Sequence, residues 1–229
     1  MKTTCIIPAW NEADRLSNVL SCVVGHPLVN EVIVVDDGST DATGTVAARA
    51  GARVIRQFPN AGKSAAVARG LQAAEGDLVL FLDADLSGLT SRHLDDLLSP
   101  VLTGQATVSV SLRSNAPLLW RLIGLDYISG ERLMPKAMLS AHVPRIARLR
   151  GFGLEVTLNE IWLDRRVPIA VVPFAGVASP SKSAKQGVLR GLVSDARMIG
   201  DILQTVGSFA ALWQIYRMLR ARRMSCIRP

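Results

Sequence analysis

The 229-residue chain is poor in cysteine, histidine and aromatic side chains: three cysteines, three histidines and 5% aromatics. Cys5, Cys22 and Cys226 have neither an even count nor the spacing of a metal knuckle, which excludes a disulfide framework and a structural zinc site. Cys5 and Cys22 fall in apolar patterns where a reduced thiol packs well, so a reducing compartment is expected. Long apolar runs are also missing. The six residues Cys5 to Trp10 are too short for a signal sequence's hydrophobic region. The longest uncharged stretch of the C-terminal part, Ile202 to Tyr216, includes Gln204, Thr205, Ser208 and Gln214 and falls short of the ~20 apolar residues of a membrane span. Acidic residues are outnumbered, 19 against 26 basic ones, and the net charge of +7 favours anionic partners such as nucleotide diphosphates, lipid phosphates, membrane surfaces or nucleic acid. No nucleic-acid motif accompanies the basic tail, and no nucleic-acid partner is expected.

With 49% hydrophobic and 20% charged residues, the chain reads as globular and long enough for one substantial core. Its first half alternates short apolar runs with helical patterns. TCII is followed by a helix from about Glu12 to Val24, with Leu16, Val19, Leu20, Val23 and Val24 on one face. Then come EVIVV, a helix over 42–50 that Asp41 can cap, ARVIR, a helix over 63–74, and LVLFL. This repeated alternation predicts an α/β fold, a parallel sheet covered on both faces. Beyond residue 90, TVSVSL and PIAVVPF read as strands. Helix is expected from Pro117 to Ser140 with a break near Ser129 and Gly130, again opening at GFGLEVTLNEIWL, and from Val188 to about Arg223. The boundary falls at the linker ASPSKSAKQG, giving a domain over 1–178 and a linker with C-terminal helices over 179–229.

In open sheets, ligands gather where the strands' carboxyl ends meet loops. Three polar clusters stand there: PAWNE after the first strand, DDGSTD after the second and DADLSG after the fourth. In the last, Asp83 and Asp85 alternate past the strand end onto one face, about 7 Å apart. Two neighbouring carboxylates raise one another's pKa unless a cation offsets them, which asks for a hard divalent ion. Pro8, Ala9 and Trp10 offer an apolar wall and an aromatic face to a nucleoside, while Asn11 and Glu12 can bond base or ribose. Gly38 permits the tight backbone of the second loop. Lys63 opens a helix after Asn60 and Gly62, so backbone N–H groups and an ammonium face phosphate oxygens together. Small residues on that helix, Gly70 among them, bring it close to the sheet.

IIPAWNE, VIVVDDGSTD, NAGKSAAVARG and GDLVLFLDAD, in this order and spacing, resemble the nucleotide-binding half of family 2 glycosyltransferases of the GT-A fold over about residues 3 to 90. The resemblance implies a Rossmann-like, mostly parallel central sheet with helices on both faces, plus a C-terminal helical tail. It also implies an inverting transfer of a hexose from a nucleotide-diphosphate sugar. Asp37 is then similar to the family's base-reading carboxylate. Asp83 and Asp85 hold Mg²⁺ or Mn²⁺ against the diphosphate, Asp85 acting in catalysis, and Ser87 stands where a related type places a further ligand. VSLRSN and ISGERLMPK resemble the segments with which the polyprenyl-phosphate branch brings basic residues to an acceptor phosphate: Arg113 and Arg132, with Lys136 nearby. A histidine found ahead of the lysine-rich segment in some relatives is replaced here by Ser179 and Pro180.

A polyprenyl phosphate is the favoured acceptor, since its oxygen is anionic near neutral pH and needs no base. A soluble hydroxyl compound or saccharide is the alternative, and Glu155 is then the candidate base. A non-catalytic nucleotide-sugar or membrane-adaptor module is a further alternative. A stripe of Ile199, Ile202, Leu203, Val206, Phe209, Ala210, Trp213 and Tyr216, followed by Arg217, Arg220, Arg222 and Arg223, either lies peripherally on the membrane's inner, cytoplasmic face or packs on the protein's own sheet or a second subunit as a homodimer.

Overall fold

Apolar strand side chains alternate between two faces, so each strand feeds two cores. In the computed structural model, which describes residues 1–179 and 208–224, Ile6, Ile33 and Val35 join one buried cluster while Cys5, Ile7 and Val34 join the other. The first half follows the expected alternation: β1 (Thr3–Ala9), α1 (Ala13–Val23), β2 (Glu31–Asp36), α2 (Thr43–Arg49), β3 (Arg53–Arg56), α3 (Lys63–Ala73) and β4 (Leu78–Phe81). α1 buries Leu16, Val19, Leu20 and Val23, the predicted face, at about 1.5–3 kcal/mol for each large side chain removed from water. α3 approaches closely because Gly70 lies on Ile6; a Cβ there would overlap the isoleucine's Cγ2.

The second half continues with α4 (Ser91–Leu102), β5 (Val108–Arg113), α5 (Leu118–Ile123), β6 (Arg132–Pro135), α6 (Val143–Ile146), α7 (Gly153–Asp164), β7 (Ile169–Phe174), α8 (Ser208–Ala221) and β8 (Arg222–Met224). The eight strands run β3-β2-β1-β4-β6-β5-β7-β8, with β6 antiparallel to both neighbours and every other pairing parallel. α1, α2 and α4 cover one face; α3, α5, α6, α7 and α8 cover the other. This is the expected GT-A, Rossmann-like architecture.

Two expectations need correction. The helix over 117–140 is interrupted: α5 ends at Gly124, whose φ of +67° is left-handed, and residues 132–135 form a strand paired with β4 and β5. Being antiparallel, β6 starts at the rim where its neighbours end, so residues 126–131 join the cleft. Lys136, past its far end, donates to Ala74 O at the opposite rim and is removed from any acceptor role. In the tail the helix stops at Ala221 rather than about Arg223, and of the surfaces left open to its stripe the protein's own sheet is the one it does not meet. The described members of the predicted stripe, Phe209, Ala210, Trp213 and Tyr216, face outward; Ala211 and Met218 on the other side of α8 are buried, and Gln214 accepts from Tyr127 Oη at 2.8 Å. β8 extends the sheet along β7. Ile199, Ile202, Leu203, Val206, Pro180 and most of the linker lie outside the described residues. No described helix is long and apolar enough to cross a membrane.

Candidate active site

The carboxyl ends of β1, β2, β4 and β5 and the start of β6 surround a cleft of about 640 Å³, within the usual size of a small-molecule site. All three predicted loop clusters reach it: Pro8, Ala9, Trp10 and Glu12 from the first, Asp37 from the second, Asp83 and Asp85 from the last, with Gly62 and Lys63 between. Trp10 is 55% exposed, a lip residue with its ring free for a ligand rather than a core residue.

Asn11 and Gly38 do not line the cleft. Asn11, at a φ of +54°, receives Thr40 N–H on its amide oxygen at 2.9 Å and donates its own N–H to Ser39, so it ties the first loop to the second. Gly38, at φ +74°, lets residue 38 pass Asn60, whose nitrogen a Cβ would meet at 2.9 Å. Asp37 accepts Gln57 Nε2 at 2.6 Å and Ala61 N at 2.9 Å on Oδ1, and Gly62 N at 2.8 Å on Oδ2. With three donors already on its carboxylate, Asp37 chiefly shapes the loop that leads into α3 and aims Lys63.

Lys63 Nζ lies 2.8 Å from Asp83 Oδ1 and 3.0 Å from Glu155 Oε1. Burial alone would lower the lysine's pKa, but the two carboxylates outweigh it and the ammonium is held well above its usual range. Asp83 is shifted in the opposite sense to its burial: Lys63 first, then Arg113, keep it ionised below the ordinary carboxylate value. Asp85 is pushed up by burial and by Asp83, only partly relieved by a hydrogen bond from Ser179. Glu12, which pairs with Arg15 at 3.0 Å, is also raised, by burial and then by Asp85, Asp41 and Asp83 against the pull of Arg15. Negative charge therefore accumulates on the Asp85 side of the cleft, where Arg15 offsets it only in part.

That imbalance is what a divalent ion would relieve, and hard carboxylate oxygens are the donors Mg²⁺ and Mn²⁺ prefer. Among the described residues no third acidic, histidine or cysteine ligand joins the pair. The arrangement suits a metal held by one or two carboxylates and completed by substrate phosphates. Ser87 is not part of it. Its hydroxyl donates to Ala178 O at 2.9 Å on the exposed side of the loop, because residues 87 and 178 form a short antiparallel bridge.

The two arginines separate. Arg113 lines the cleft, held from behind by Asp126 at 3.2 Å and Glu131 at 3.7 Å, with Nη1 donating to Ser179. Arg132 does not offer its fork to an acceptor. It is fully buried, donates to Ser129 O, Asn159 Oδ1 and Tyr127 O, and stacks 4.9 Å over Trp162. It is a structural cation of the 126–131 loop, bonding that loop's backbone to α7. Glu155, in the first turn of α7, keeps Oε2 buried and without a hydrogen-bond partner among the described residues. His26, His93 and His142 do not line the cleft.

Sequence reasoning missed Ile128 and Phe152 on the cleft wall and the paired acids Asp126 and Glu131 behind Arg113. The acids carried a signal, since two carboxylates among the many apolar residues of 117–135 ask for a cation; the helix expected there concealed it.

Residues 4–139 match the model of glycosyl transferase family 2. An uncharacterized glycosyltransferase of Mycobacterium bovis is 33% identical over 165 residues, covering 71% of this chain and 72% of that protein. A glucosyl-3-phosphoglycerate synthase of Mycolicibacterium paratuberculosis is 36% identical over 122 residues, covering 49% of this chain and 37% of the relative. Over the matched sequence, the chain thus spans little more than a third of that relative's length. Crystal structures of glucosyl-3-phosphoglycerate synthase from Mycobacterium tuberculosis superpose more fully. The complex with Mn²⁺, uridine diphosphate and glucosyl-3-phosphoglycerate gives a TM-score of 0.68 at 28% identity, over 90% of this chain and 80% of that one. The complex with Mn²⁺, uridine-diphosphate-glucose and phosphoglyceric acid gives 0.66 at 28%, over 89% and 79%.

Proposed function

Since the chain belongs to glycosyl transferase family 2, we propose that it moves a sugar from a uridine-diphosphate donor to a small, soluble, phosphate-bearing acceptor. One observation carries the reading: a single cleft holds Asp83 and Asp85 together with the cations Lys63 and Arg113. The relatives with Mn²⁺, uridine-diphosphate-glucose and phosphoglyceric acid support the same pairing of donor and acceptor classes.

In this reading Trp10, Pro8 and Ala9 wall the nucleoside, and Asp83 and Asp85 hold Mn²⁺ or Mg²⁺. The bound ion supplies Lewis-acid stabilisation of the diphosphate as the sugar departs. Lys63 faces the same leaving group and adds a fixed positive charge that needs no reorganisation. Arg113, pre-oriented by Asp126 and Glu131, grips the acceptor's phosphate. A hydroxyl acceptor must lose a proton, and Glu155, which lines the cleft beside Lys63, is the candidate carboxylate to take it.

A polyprenyl-phosphate acceptor is the second reading. It is favoured by Leu118, Leu119 and Leu122, exposed on α5 shortly after Arg113, and by the outward apolar side of α8, a surface suited to a lipid at the cytoplasmic face of a membrane. The relatives' acceptors do not support it.

The test is transfer from radiolabelled uridine-diphosphate-glucose, with Mn²⁺ or with a chelator, to 3-phosphoglycerate, glycerol 3-phosphate or a polyprenyl phosphate in detergent. Manganese-dependent product on the soluble acceptors is expected. Product on the lipid alone replaces the first reading by the second. No manganese-dependent nucleotide binding, or full activity in a folded variant carrying Asp83→Asn and Asp85→Asn, ends both.

A further inference from the structure

A groove of about 420 Å³ lies between the C-terminal end of α7 and α8 and shares no lining residue with the cleft. That is the size of a small-molecule site. Its polar walls are Trp162, Arg166, Trp213, Tyr216, Arg217 and Arg220, with no acid among the described lining residues. Guanidinium and indole N–H groups donate hydrogen bonds and accept none, so the groove asks for a ligand rich in acceptors.

Two of the three arginines have no acidic partner among the described residues. Arg217 is committed: Nη2 donates to Leu163 O at 2.8 Å and Nη1 lies 3.9 Å from Asp164. Arg220 reaches Tyr216 Oη at 3.4 Å, with its guanidinium carbon 5.9 Å from the ring centroid, a contact that leaves its charge unneutralised. Arg166 is exposed just past the end of α7, at a φ of +53°, a left-handed position that glycine or asparagine usually takes. Trp162 is fully buried, yet its indole N–H has no acceptor among the described residues, and a buried donor left unpaired calls for an explanation. Trp213 and Tyr216 stack with ring centroids 5.5 Å apart and 27° between their planes, and each is about half exposed.

Planar guanidiniums match phosphate oxygens, and an open aromatic pair offers a flat ring a stacking surface. We propose that this groove binds a phosphate ester carried on a flat ring, the chemistry of a nucleotide, at a site separate from the cleft. Arg166 and Arg220 take the phosphate, Trp213 and Tyr216 take the ring, and the Trp162 N–H gains an acceptor. A lipid phosphate shares the anionic half of this chemistry but lacks the flat ring.

The probe is radiolabelled adenosine monophosphate, dialysed to equilibrium against the full chain with a chelator present, so that binding does not depend on a metal in the cleft. Saturable binding is expected, weakened about tenfold in Trp213→Ala, the scale of one lost base stack, and about tenfold in Arg220→Ala, the scale of one charge-assisted hydrogen bond. Manganese-dependent transfer by both variants is expected to stay within about twofold of wild type, since neither residue lines the cleft. No saturable binding overturns the proposal, and so does binding that both variants leave unchanged, which would place the nucleotide elsewhere. Inorganic phosphate binding as tightly as the nucleotide removes the flat ring and overturns it as well. Sedimentation with phosphatidylglycerol vesicles that is lost in Trp213→Ala, without nucleotide binding, assigns the groove to a lipid surface instead. A dimer seen by light scattering that Trp213→Ala splits assigns it to a second copy of the chain.

Discussion

Lys63 and Glu155, 92 positions apart in the chain, meet at 3.0 Å across the cleft floor. The contact joins the first residue of α3 to the first turn of α7, and the same ammonium holds Asp83 at 2.8 Å. One lysine therefore fixes the geometry of a metal-facing acid and of the candidate base together.

Replacing Lys63 with alanine removes that link and leaves Asp83 and Glu155 facing the cleft without it. Uridine diphosphate affinity in the presence of Mn²⁺ is expected to fall about tenfold to a hundredfold, the scale of one or two charge-assisted hydrogen bonds. Titration calorimetry reads it. An affinity equal to wild type removes the lysine from the diphosphate site.

Gly130 lies against the carboxylate of Asp83, where an added Cβ would overlap both oxygens. Gly130→Ala is expected to displace Asp83, weakening Mn²⁺ binding while the protein still folds, at a stability loss of about 1–3 kcal/mol. Metal titration beside a denaturant melt checks both parts. Wild-type metal affinity would show that Asp83 tolerates the shift.

Gly70→Ala sets two effects against each other. Alanine gains about 1 kcal/mol in helix propensity over glycine, whereas its methyl would drive into Ile6 and overpacking costs about 1–3 kcal/mol. A net loss of stability is expected, seen as a lower urea midpoint. Pairing the change with Ile6→Ala, which removes the Cγ2 that the methyl would meet, should cost less than the two single changes added together.

Glu31 accepts Thr4 Oγ1 at 2.7 Å, Glu75 N at 3.0 Å and Arg53 Nη1 at 3.0 Å, tying β2 to β1, to β3 and to the turn before β4. Burial pushes its pKa up, but these donors outweigh it and the folded value lies below the unfolded one. A depressed carboxylate contributes stability above the unfolded pKa of about 4.3, lost as pH falls through the folded value. Glu31→Gln should therefore cost about 1 kcal/mol at pH 7 and much less at pH 3. Equal losses at both pH values would exclude the ionised form as the cause.

The order of β1 to β4 and α1 to α3 was legible because each element's pattern is local: five apolar residues ending at an acid, or leucines and valines at helical spacing. The four-residue β6 was not. RLMP has no periodicity of its own, and only its pairing with β4 and β5 makes it a strand. Arg132 follows the same rule. Its neighbours in sequence gave it the look of a phosphate ligand, whereas three acceptors and a tryptophan ring enclose it.

From its sequence alone the chain determined where strands end in polar loops, and hence that Trp10, Lys63, Asp83 and Asp85 share one rim. Spacing along the backbone is enough for that. Tertiary structure decided which charges neighbour which: Lys63 on Glu155, Arg113 between Asp126 and Ser179, Arg132 withdrawn into the core. It also decided that α8 packs through Ala211 and Met218 while Phe209 and Trp213 face outward. Helical spacing lines up a face but does not choose the surface it meets, and the strength of a charge depends on neighbours that only folding supplies.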